Sequence, residues 1–120
     1  MTEDWPQLAK ELSALVGQVR GGIPDVMKNF SAMAKAACAD GALDAKTKEL
    51  VALGISIAVR CDGCITFHTR SARDLGTSRE EMLEVLGMAI YMGGGPSLMY
   101  AAMALEAFDQ HVADKAAQTA

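Results

Sequence analysis

Aromatic residues are scarce in this 120-residue chain, at 5% of positions, although 51% of its residues are hydrophobic. Its apolar content is therefore mostly Ala, Leu, Met and Val, a mixture that favours closely packed helices and argues against β architecture. Basic stripes are missing too: the formal net charge is −4, and Lys and Arg are scattered along the chain. That excludes nucleic acid as a partner, because phosphate neutralisation dominates such binding. The opening residues, Met1 to Trp5, carry no positive segment followed by an apolar run. No secretory signal is read, and the expected location is cytoplasmic. A membrane span is lacking as well. Val85 to Leu105 is free of charge and long enough for a bilayer of about 30 Å, but Gly93-Gly94-Gly95-Pro96 breaks it. Glycine entropy and the missing proline amide make it two shorter buried helices joined by a turn, so no membrane association is expected. Three cysteines, Cys38, Cys61 and Cys64, form an odd set that argues against a secreted disulfide framework. They read as a reactive pair plus one thiol filling core or a helix end.

What is present is helical periodicity. Leu8, Leu12, Leu15, Val16 and Val19 space a first amphipathic helix from Trp5 to Val19, stopped by Gly21-Gly22. Pro24 opens a second, running to about Ala39, with Val26, Met27, Phe30, Met33 and Ala37 on its apolar side. Asp44 caps a third that carries Glu49 into Leu50 to Val59, a run apolar on every side and hence expected to be central and buried. A fourth starts around Cys61 to Gly63 and ends at Gly76. Ser78 and Glu81 make a capping box for a fifth, and Pro96 opens a sixth whose tail is expected to fray after Asp114. The expected fold is an all-α single-domain bundle of about six helices over residues 1–120, with its core at about residues 24–112. So much aliphatic surface on a short chain points to a homo-oligomer. Met88, Met92, Met99 and Met103 around the glycine turn are a candidate contact surface, with plain core as the alternative.

Chemistry concentrates in one segment: Glu49, eleven residues, Cys61, two residues, Cys64, three residues, His68. On a helix, residues three or four apart share a face, which sets Cys61, Cys64 and His68 along one side. His68 is placed to take the Cys64 proton or to stabilise its thiolate. A helix N-terminus adds partial positive charge, which lowers a thiol pKa from about 8.5. Cys64 is thus the candidate nucleophile. Glu49 sits at the edge of an almost wholly apolar helix, and a buried unpaired carboxylate is costly, so it is expected to pair with His68 and orient the imidazole. The rival reading is a zinc site on Cys61, Cys64, His68 and Glu49; structural zinc usually draws a second ligand pair from elsewhere, and only Cys38 and His111 remain. An inert packed thiol pair is the other alternative. His111, near Asp109 and Asp114, reads as a surface side chain, and Asp62, Thr66 and Arg70 read as caps or solvated groups. No cofactor motif is present, and none is expected.

The spacing Glu49-x11-Cys61-x2-Cys64-x3-His68, preceded by Lys46-Thr47-Lys48 and followed by Thr69-Arg70-Ser71-Ala72, resembles the alkylhydroperoxidase D and carboxymuconolactone decarboxylase-like family from about Asp44 to Met103. The resemblance implies an all-α fold, thiol peroxidase or disulfide reductase activity, and assembly as trimers or hexamers. It also implies that Cys64 is oxidised to sulfenic acid, that Cys61 donates a proton and then becomes the disulfide partner, and that His68 and Glu49 relay protons. The substrate would be an organic hydroperoxide and the reductant a dithiol protein, lipoyl-bearing or thioredoxin-like. Gly63 departs from the alkylhydroperoxidase D proteins, which often carry a His directly before the second Cys. The decarboxylase branch lacks the Cys pair, so its lactone chemistry is not carried over.

Overall fold

Each helix begins where a short polar side chain or a proline settles the first free amides, and the computed structural model describes residues 1–119 on that plan. Asp4 accepts from the Gln7 amide to start α1 (Trp5–Gly22), and Pro24 opens α2 (Pro24–Cys38). Asp44 accepts from the Thr47 amide at 2.7 Å to start α3 (Ala45–Ala58). Cys61 caps α4 (Asp62–Asp74), and Ser78 with Glu81 forms the full capping box of α5 (Arg79–Gly93). Gly94, at φ 68° and ψ −148°, makes the turn into α6 (Gly95–Thr119) in a backbone region open almost only to glycine. Among the described residues all regular structure is helical, as expected. None of these helices is long and apolar enough to cross a membrane.

The core gathers around α4, which packs on α3, α6 and the first half of α1. Trp5, Leu53, Ile57, Ile65, Met82 and Phe108 fill it, while Ala101, Ala104 and Ala107 let α6 approach closely. The chain start is tied to α6 by polar contacts: the Trp5 indole donates to Glu106 at 2.9 Å and the Trp5 amide to Gln110 at 2.8 Å. With Thr2 donating to it as well, the Glu106 carboxyl is pulled down to about 2, since these hydrogen bonds favour its charged form.

Several expectations are corrected. The third helix is buried only on the side facing α4 and α6; Val51, Ile55 and Val59 are more than half exposed on the other. Nothing within this chain packs on that side. The C-terminal segment does not fray at Asp114 but stays helical to Thr119, Gln118 bonding Asp114 across one turn at 3.0 Å. Cys38 is exposed at the end of α2 and is not part of the core.

Candidate functional site

A non-glycine residue in the left-handed region marks the site's entrance: Arg60, at φ 58°, turns the chain sharply from α3 into α4. The turn doubles the two helices back on each other, with the Cys61 amide bonded to the Ser56 carbonyl at 3.1 Å. Cys61 is the residue before the first helical turn, and its sulfur accepts from the Cys64 amide at 3.1 Å. Both sulfurs thus lie where the unpaired amides of a helix N-terminus concentrate positive potential. They are joined to each other as a disulfide, across a Cα separation of 5.2 Å.

Glu49 is brought in from the first turns of α3. It is buried, and its Oε1 takes a hydrogen bond with His68 Nδ1. An ion pair in that setting also satisfies the carboxylate that would otherwise be stranded in the apolar interface. With Nδ1 engaged by the carboxylate, Nε2 is the ring nitrogen left to exchange a proton, and His68 keeps about a third of its side chain open to solvent. His68 lies one helical turn after Cys64, on the same face of α4. The four residues picked out by spacing, Glu49, Cys61, Cys64 and His68, are therefore brought to one end of the α3/α4 pair. Among the described residues, no three His, Cys, Asp or Glu side chains are arranged to hold a metal ion.

Gly63, between the two cysteines, explains its own identity. A Cβ there would stand 3.1 Å from Leu12 Cδ1, so the bare backbone lets α1 lie close over the motif.

Two residues beside the site escaped the sequence reading. His111 is buried, not a surface group, and Thr66 is buried with it. The Thr66 hydroxyl donates to the Trp5 carbonyl at 2.7 Å and so must accept from His111 Nε2, 3.0 Å away. That leaves Nδ1 unprotonated, buried and without a partner, and a second proton there would have no acceptor. Burial, reinforced by the nearby Arg73 and Arg70 charges, pushes the His111 pKa down from 6.5 to about 4. The missed signal was periodic: His111 continues the small and apolar stripe Ala104, Ala107 and Phe108 on α6.

Comparison with known proteins agrees with this architecture. The sequence profile described as the carboxymuconolactone decarboxylase family matches residues 24–107. A crystal structure of a carboxymuconolactone decarboxylase family protein from Legionella pneumophila, in its apo form, is 50% identical, with a TM-score of 0.87 over 89% of this chain and 96% of that one. A Thermotoga maritima protein of the same family, for which a part in the antioxidative response has been suggested, is 32% identical, with a TM-score of 0.69 over 74% of this chain and 92% of that one. An uncharacterized protein of Cupriavidus necator is 40% identical over 109 residues, which are 91% of this chain and 96% of that one.

Proposed function

The chain belongs to the carboxymuconolactone decarboxylase family, and from that premise we propose that it is a thiol-dependent peroxidase and disulfide oxidoreductase acting on organic hydroperoxides. One observation carries the reading: a Cys61–Cys64 disulfide at the start of α4 stands one helical turn from a histidine held by a buried glutamate. Those are the groups such a cycle requires, and the bonded sulfurs correspond to its oxidised state.

In the reduced protein the Cys64 thiolate attacks the terminal oxygen of the hydroperoxide. The O–O bond breaks, the alkoxide leaves and is protonated through His68, and Cys64 becomes a sulfenic acid. Cys61 then attacks the Cys64 sulfur, water leaves, and the disulfide forms. A dithiol reductant, lipoyl-bearing or thioredoxin-like, supplies two electrons and two protons to reopen it. Glu49 holds the imidazole so that Nε2 exchanges the proton, the service a carboxylate gives a histidine base in many hydrolytic sites.

The test is direct. Reduced protein treated with one equivalent of an organic hydroperoxide is expected to yield one alcohol and one Cys61–Cys64 disulfide, read by mass spectrometry of the digested chain. Retention of both free thiols at positions 61 and 64 would reject the cycle.

A further inference from the structure

Two unfinished surfaces on this one chain fit each other. Beyond Leu12, α1 is exposed throughout, and α2 buries none of its 15 residues. Fifteen residues make a marginal helix in water unless one face is packed. On α2, Val26, Phe30 and Met33 stand 57–61% exposed at helical spacings of four and three, a single apolar ridge. The whole chain registers the projection. Its radius of gyration is 14.6 Å where a compact chain of this length has about 13.5 Å. It exposes 7371 Å², about 1,100 Å² more than a compact monomer of this mass, which exposes about 6,200 Å². That excess surpasses the ~800 Å² per partner that a stable interface buries.

The second surface is a groove of about 680 Å³ between α3 and α5. Gly54, Ala58 and Ala89 form its shallow floor, and Val51, Met88 and Met92 stand along its rim, each more than half exposed. Small floor residues admit a bulky ridge, and methionines adapt to its shape. The groove runs along α3 from Thr47 to Arg60. At 1.5 Å per residue that is about 20 Å, close to the roughly 22 Å length of α2.

We propose that α2 of one copy lies in the α3/α5 groove of a second copy, a head-to-tail joint repeated around a closed ring. A second copy is the occupant because each chain carries one ridge and one groove of matching length, so its own kind satisfies both. Any open end leaves one of each exposed, which drives closure. The joint is independent of the thiol chemistry.

Phe30→Glu spoils the ridge and spares the groove; Met88→Glu does the reverse. Sedimentation velocity at high micromolar concentration is expected to show an assembled wild type and a monomer for each variant, with circular dichroism unchanged. Mixing the two variants is expected to give a dimer holding one copy of each, because the ridge intact in Met88→Glu still meets the groove intact in Phe30→Glu. A monomeric wild type, leaving these faces to some other partner, would overturn the proposal, as would a mixture without that dimer. If either variant loses helicity, wild-type protein decides the matter. Isotope-labelled and unlabelled copies are mixed and cross-linked through lysines, and links from Lys28 on α2 to Lys46 on α3 must join labelled to unlabelled chains. Links confined within single chains would sink it.

Discussion

At the scale of single residues, Glu49 is a buried carboxylate whose hydrogen-bond partner is the one imidazole near the cysteines. Glu49→Gln keeps the shape and removes the charge. Hydroperoxide turnover with a dithiol reductant is expected to fall roughly 10²-fold, the usual contribution of a positioned proton-transfer pair, and the pH profile to change shape with it. An unchanged rate and profile would take Glu49 out of the relay. Gly63 supports a second prediction. A Cβ there meets the flexible end of Leu12, which has to give by a few tenths of an ångström. Gly63→Ala is therefore expected to cost about 1 kcal/mol in the native protein and less in a Leu12→Ala background, a coupling that urea unfolding of the four variants measures. Equal costs in both backgrounds would mean the contact is of no consequence.

Among the helices, His111 and Thr66 fasten α6 and α4 to the chain start, and the histidine does so only while neutral. Its folded pKa lies near 4, below the ordinary 6.5, so the unfolded chain binds the proton more readily between those values. Its contribution is complete above pH 6.5 and is lost as pH falls to about 4, a change on the order of 3 kcal/mol. Glu106, held down at about 2, adds a separate loss that sets in below its ordinary 4.5. Unfolding at graded pH is expected to show both stages in the native protein and only the lower one in His111→Gln; a native curve flat from pH 7 to 4 would contradict this. The helices were legible in the sequence because their signals are local: Asp44, Ser78 and Pro24 announce starts, and Gly94 announces a turn. The Glu49–His68 pairing was legible too, from the expense of an unpaired carboxylate in apolar surroundings. What could not be read was which apolar faces turn inward. α2 and the outer side of α3 carry the same periodic pattern as buried helices, and periodicity reports that a face needs cover without saying what covers it. His111 was misjudged for the converse reason: nearby Asp109 and Asp114 suggested solvent, whereas its register on α6 pointed to the interior.

For the molecule as a whole, the placement of the sulfur bridge matters more than its presence. It joins residues three apart, so it encloses one of the shortest loops a disulfide can close. The conformational freedom it removes from the unfolded chain is correspondingly small, about 2 kcal/mol on the loop-entropy relation, against nearly 5 for a bridge closing a hundred residues. Reduction is thus expected to lower the unfolding free energy by no more than about 2 kcal/mol, measured in urea with and without a strong reductant. Global unfolding on reduction would contradict that. The fold rests on Trp5, Leu53, Phe108 and their neighbours in either oxidation state. This bridge is therefore a poor fastener, and electrons can enter and leave it while the scaffold around it stands still.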